Sequence, residues 1–162
     1  MLNETKKEVD LLDLKNIVES KHKIIGLDLG KKRIGVSIST SNMDGALPLR
    51  TIQYSNIKDL IEELSVIIKT HDIKAMVIGL PINMDGSEGK SSQSIRDKSN
   101  KILSFFEMPY SFWDERLSTA AVARFYESPS KTRQKKKNQK KDIDNLASAF
   151  ILEGALEYIK RN

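Results

Sequence analysis

The stretch from Lys23 to Ser39, KIIGLDLGKKRIGVSIS, limits the fold more than any other part of the chain. It reads as two strands joined by a tight basic turn through Gly30, Lys31 and Lys32. Side chains alternate between the two faces of a strand, so Ile25, Leu27 and Leu29 share one face and Ile24, Gly26, Asp28 and Gly30 the other. On the second run Ile34, Val36 and Ile38 form the apolar face, with Gly35, Ser37 and Ser39 opposite. Paired as a hairpin, the two runs set one carboxylate, Asp28, in a shallow cradle of glycine and serine. A backbone or a phosphate has room to approach it there. The competing reading is a surface aspartate at a strand end, with Gly30 supplying turn geometry.

The rest of the chain alternates strands and helices. Residues 1–22 carry Leu11, Leu14, Ile17 and Val18 at helical spacing and read as a short helical arm packing on the edge of a domain spanning 23–162. After a turn over Asn42 to Gly45, Leu47 to Ile52 is a third strand. Asn56 is placed to cap a helix running to about His71, with Ile57, Leu60, Ile61, Leu64, Ile67 and Ile68 at the helical period. The run Lys74 to Leu80 has the continuous apolar character of a strand buried on both faces. Gly79 to Gly89, GLPINMDGSEG, then forms a loop feeding a helix with Ile95, Ile102, Leu103 and Phe106 as its buried stripe. Such a loop, at the C-terminal end of a central strand, suits an anionic group. It lacks the Walker lysine pattern, so it is not a nucleotide P-loop.

Tyr110 to Glu115, YSFWDE, reads as a further strand ending in two adjacent carboxylates, followed by a helix through Ala120, Val122, Ala123 and Phe125. A final helix begins near Asp142, which caps it, and places Asp144 in its first turn at the spacing of Ala147, Ser148 and Ile151. The predicted fold is α/β: a mixed sheet of three antiparallel strands and two further strands, with helices on both faces.

Charge is concentrated in one place. Between Lys131 and Lys141 there are seven basic residues and no acidic one; taking those seven from a net charge of +5 leaves −2 for the rest. A mildly acidic body with one basic loop suggests a polyanionic partner, against the plainer reading of a solvated loop. Cysteine is absent, which removes disulfides, thiolate zinc sites and a cysteine nucleophile. His22 and His71 stand outside every motif, no run is long enough to span a membrane, and the N-terminus lacks the apolar stretch of a signal peptide. The expected location is cytoplasmic.

Taken singly, each acid has an ordinary explanation. Asp144 favours a helix dipole and Glu115 pairs with Arg116 or Arg33. In combination, GLDLGKKRIGVS, GLPINMDGSEG, DERLSTAAVA and IDNLASAFILE, in this order from about Lys23 to Glu157, closely resemble the YqgF family, also called RuvX. The resemblance implies an RNase H-like fold similar to the Holliday-junction resolvase RuvC, and a nuclease that trims the 5′ end of pre-16S ribosomal RNA in ribosome biogenesis. Resolution of branched DNA and non-catalytic rRNA binding are the alternatives. It also implies an acidic site of Asp28, Glu115 and Asp144 holding Mg2+ or Mn2+. Asp28 then bridges the metals, while Glu115 and Asp144 hold one each.

Hard oxygen ligands suit those ions, and two cations about 4 Å apart activate a water and stabilise the leaving oxygen. Asp114 is a secondary candidate, since strand alternation points it away from Glu115. Lys31, Lys32, Arg33 and the basic loop, with Lys135, Lys136 and Lys137, would hold the phosphate backbone. An ATPase of the actin, Hsp70 and sugar-kinase type has a similar first hairpin, but needs a second domain and an adenosine site that this length does not accommodate.

Overall fold

The computed structural model describes residues 7–118 and 139–162, with their side chains over 7–117 and 146–162. The helix expected through Ala120 to Phe125 and the basic segment 131–141, Lys135 to Lys137 included, lie outside the described backbone or side chains.

Five strands form one sheet: β1 (Lys23–Leu29), β2 (Arg33–Ser39), β3 (Ala46–Gln53), β4 (Ile73–Leu80) and β5 (Tyr110–Asp114), in the order β3-β2-β1-β4-β5. The first three are antiparallel neighbours, and β4 and β5 add in parallel beside β1. The hairpin register sets Asp28 opposite Gly35, and the Gly30 amide donates to the Arg33 carbonyl at 2.9 Å to close the turn. β4 is an interior strand, almost wholly buried, which is why its sequence is apolar without alternation. β3 tolerates Pro48 because it is an edge strand.

Each face of the sheet is covered by helices. Helix α2 (Ile57–His71) starts where Asn56 accepts the Asp59 amide at 2.9 Å, and stops at Asp72, whose φ of 52° turns the chain left-handed. With α3 (Lys90–Leu103) it buries Leu60, Leu64, Ile67, Ile102 and Leu103 against the Leu27, Val36 and Ile78 face. Ser92 and Ser99 fill the α3 stripe where larger side chains would not fit, each donating its hydroxyl to a carbonyl, of Pro81 and Ile95 respectively.

The opposite face carries a long helix, α4 (Gln139–Arg161), whose Ile151, Leu152, Ala155 and Ile159 pack on Ile24, Ala75, Val77 and Trp113. It begins three residues earlier than the expected Asp142, because Gln139, Lys140 and Lys141 are good helix formers that extend the helix upstream. Asp144 therefore falls in the second turn. The sheet accepts this helix closely because small residues line its path. A Cβ on Gly26 would meet Ser37 Oγ and lie 2.8 Å from Leu152 Cβ and 3.0 Å from the Ser148 carbonyl oxygen. Ser37 Oγ donates to that same carbonyl at 2.8 Å. Along this stretch the glycine–serine cradle is thus filled by the chain's own helix backbone.

Ahead of β1 a 3-10 turn (Leu11–Leu14) leads into the short α1 (Lys15–Glu19), and Leu14 and Val18 join the α4 side of the core. The helical spacing gave no hint of what precedes them. Lys7 to Val9 is extended and runs parallel to the outer edge of β5, the Tyr110 amide donating to Lys7 at 2.8 Å and the Val9 amide to Tyr110 at 2.9 Å. Arg96 fastens this edge: it pairs with Glu88 at 2.6 Å and Glu8 at 3.3 Å, and its guanidinium lies 4.7 Å from the Phe112 ring centroid.

Candidate active site

The C-terminal ends of β1, β4 and β5 lie side by side, and two acids meet there. Asp28 stands on the α4 side of β1, in the alternation of Ile24 and Gly26. Glu115 is not the last strand residue, as its sequence neighbours suggested. β5 ends at Asp114, and Glu115 opens a 3-10 turn (Glu115–Ser118). Its side chain reaches back over β4, the strand between β5 and β1. Gly79 makes that reach possible, since a Cβ there would lie 2.5 Å from Glu115 Oε1 and would also strike Ile151 Cδ1.

The electrostatics carry the mark of this approach. Burial first, then the charges of Asp28 and Asp114, push the Glu115 carboxyl up to about 7. Two carboxylates held on one face, the Asp28 charge opposing the ionisation of Glu115, make a donor set suited to hard divalent cations. Among the described residues no group of three such acids comes together. Asp144 lies in α4 one turn ahead of Ser148, and its side chain is outside the described residues.

The Glu115 shift gives a sign to the pH dependence of folding. The unfolded carboxyl titrates near 4.5 and the folded one near 7, so between those values the folded state holds the extra proton. Its stabilising effect is complete below about 4.5 and is lost as pH rises through about 7. In chelated buffer the melting temperature should therefore fall from pH 5 to pH 8. Glu115→Gln should flatten that fall, and an unaltered slope in the variant would assign it to another group.

Asp114 does different work. Its carboxylate accepts from Arg116 Nη2 at 2.7 Å and from the Arg116 amide at 3.0 Å, and this guanidinium holds its carboxyl below the usual carboxylate range. Arg116 Nη1 also donates to the Asn83 carbonyl at 3.3 Å, tying the turn to the loop after β4. That loop is closed by its own bonds: the Asn83 amide donates to Ser87 and the Gly86 amide to Asn83, both at 2.9 Å, with Gly86 at a φ of +88°. Its tip presents Met84, 94% exposed. A neighbouring base or a turn cap is the partner that strand alternation leaves for Asp114, and Arg116 is both; its grip on the loop depends on the turn geometry and was not visible in the sequence.

Of the basic candidates, Lys31 and Lys32 are exposed on the β1–β2 turn and Arg33 begins β2. They sit beside the Asp28 end of the sheet. Three further lysines, Lys90, Lys98 and Lys101, lie on α3 nearby, at a helical spacing that resembles an ordinary solvated face.

Known proteins resemble this chain at two levels. In sequence, the RuvX family pattern, described as Holliday junction resolvase, matches residues 22–158. A protein of Pelagibacter ubique named "Putative pre-16S rRNA nuclease" is 40% identical over 93% of this chain and 98% of its own length. A Rhodospirillum centenum protein of the same name is 38% identical over 94% of this chain and 82% of its own. In structure, Thermus thermophilus RuvC in complex with a Holliday junction substrate superposes with a TM-score of 0.56 at 11% identity, over 86% of this chain and 95% of RuvC. The yeast mitochondrial resolvase Ydc2 gives 0.54 at 13% identity, over 91% and 85%. The RuvC-like mixed sheet with helices on both faces is therefore the fold, and over this length and identity the chain belongs to the RuvX family.

Proposed function

We propose that this chain is a divalent-metal-dependent nuclease of the cytoplasm that cleaves structured RNA, with the 5′ region of pre-16S rRNA as its substrate. The observation that carries the reading is Glu115 reaching across Gly79 toward Asp28. A protein that only bound nucleic acid would gain nothing from two opposed carboxylates at the place where phosphate must approach. The names of its relatives support RNA over branched DNA.

Asp28, Glu115 and Asp144 would hold magnesium or manganese, and the acid character of that set fits those ions. When bound, the cations supply acidification of the attacking water and neutralisation of the leaving oxygen. The chain's own residues set the stage for this. Gly79 leaves the space that Glu115 occupies, and Ile151 of α4 walls the site on the helix side. Asp114 stays outside the set, holding Arg116 against the loop that frames the mouth. Lys31, Lys32 and Arg33 orient the phosphate backbone.

The test is cleavage of a structured precursor RNA beside a branched DNA, with magnesium or manganese, by the wild type and Asp28→Asn. RNA cleavage by the wild type alone is expected. The variant's melting temperature in metal-free buffer should be unchanged or higher, because repulsion between the acids is relieved. Preference for branched DNA would move the substrate to junctions, and retained cleavage by the variant would remove Asp28 from the site.

The basic segment supplies further phosphate contacts in this reading. Replacing Lys135, Lys136 and Lys137 by Gln should weaken RNA binding and flatten its salt dependence by up to about 0.7 to 0.9 log units for each phosphate no longer neutralised. An unchanged slope would leave the segment a solvated loop.

A further inference from the structure

A groove of about 440 Å3 runs between the start of α2 and the outer face of α3, with Tyr54, Ile57, Lys90, Lys98 and Lys101 among its lining. Its one acid, Asp97, accepts from Gln93 Nε2 at 2.9 Å within the same lining. Three lysines against a single engaged carboxylate leave the groove positive. Spacings of eight and three residues bring Lys90, Lys98 and Lys101 onto one side of α3. Lys90 and Lys101 are exposed, and Lys98 is half-buried.

Direct bonds join the groove to the β1–β2 turn beside the candidate active site. Lys98 Nζ donates to the Gly30 carbonyl at 2.6 Å, two residues beyond Asp28. The Tyr54 hydroxyl donates to the Lys31 carbonyl, and the Tyr54 amide to that of Lys32, both at 3.3 Å. Lys98 Nζ also lies 5.9 Å from the Tyr54 ring centroid. The inner wall of the groove is thus the back of the turn that presents Lys31 and Lys32. Asp28 is on the α4 side of the sheet and the groove on the α2–α3 side, so a strand passing Asp28 would enter the groove by bending over that turn at the sheet's end.

We propose that this groove binds a single-stranded segment of the nucleic acid next to the one being cut, resting on the nuclease reading above. Lys90 and Lys101 take its phosphates, and the Tyr54 ring with Ile57 takes a base. Stacking on an aromatic ring and charge along the backbone together suit a single strand of any sequence. A free nucleotide has the same chemistry, but it would not need continuity with the turn at Gly30.

The experiment compares a structured RNA carrying a single-stranded tail with the same RNA made blunt. Binding is measured in metal-free buffer across a range of salt, for the wild type and for Lys90→Gln/Lys101→Gln. The wild type should prefer the tailed RNA. The double variant should lose that preference, with its salt slope on the tailed RNA reduced by about 1.4, or about 0.7 for each phosphate that Lys90 or Lys101 neutralises. Photo-cross-linking from a thiolated base in the tail should reach Tyr54.

A wild type indifferent to the tail, or a variant that keeps the preference, would overturn the groove while leaving the nuclease reading intact. A wild type that binds neither RNA would bring both down. A mononucleotide that binds in the groove without competing against the tailed RNA would assign the groove to a small ligand and overturn the proposal.

Discussion

Glu115→Gln is expected to lose cleavage by orders of magnitude, while Asp114→Asn keeps it within a few-fold. The two carboxylates are adjacent in sequence but do opposite things. Glu115 leaves the end of β5 over Gly79 and is pushed up to about 7 by burial and by Asp28. In the proposed metal site its amide analogue would remove a ligand and with it the stabilisation of charge in the transition state. Asp114 holds Arg116 at 2.7 Å on a partly exposed surface, so its loss should lower the melting temperature by only a few degrees. Single-turnover cleavage and thermal melting of both variants, at several manganese concentrations, separate the two roles. If Asp114→Asn is the inactive variant and manganese partly rescues it, the second ligand is Asp114.

Gly26→Ala is expected to be among the most destabilising single changes in the protein, by about 3 kcal/mol, the upper part of the range for overpacking. The added methyl would meet Ser37 Oγ, sit 2.8 Å from Leu152 Cβ and 3.0 Å from the Ser148 carbonyl. Two of these neighbours cannot swing aside, since one is backbone and the other the first carbon of a buried side chain. Relief requires α4 to lift, which would stretch the 2.8 Å bond from Ser37 and loosen Ile151 over Gly79. Denaturant unfolding measures the cost directly. A change under about 1 kcal/mol would mean the helix yields easily.

What could be read from the sequence was what depends on near neighbours. Alternation in Lys23 to Ser39 assigned both faces of the hairpin, because one face is glycine and serine and the other branched and apolar. Asn56 and the spacing after it marked α2, and the apolar run to Leu80 marked a central strand. That Asp28 and Glu115 come near one another could be expected only from motif order, since about half the chain separates them. What escaped depends on tertiary neighbours that no local pattern records. Lys7 to Val9 has no strand character of its own and becomes extended only against Tyr110. Gly79 looked like the start of a loop, yet its missing side chain makes way for Glu115. The lysines of α3 gain meaning only when Lys98 is found on Gly30.

The close seat of α4 on the sheet bears on how the protein is made as well as on how it works. All five strands are synthesised before this helix, and the bond from Ser37 to Ser148 closes a span of 111 residues. Until it closes, Ile24, Ala75, Val77 and Trp113 form an apolar face without its cover. Long-range closure of this kind is slow, and a half-covered sheet is prone to stick to other chains while it waits. Docking of this one helix is therefore the step that covers that face and joins the two ends of the fold.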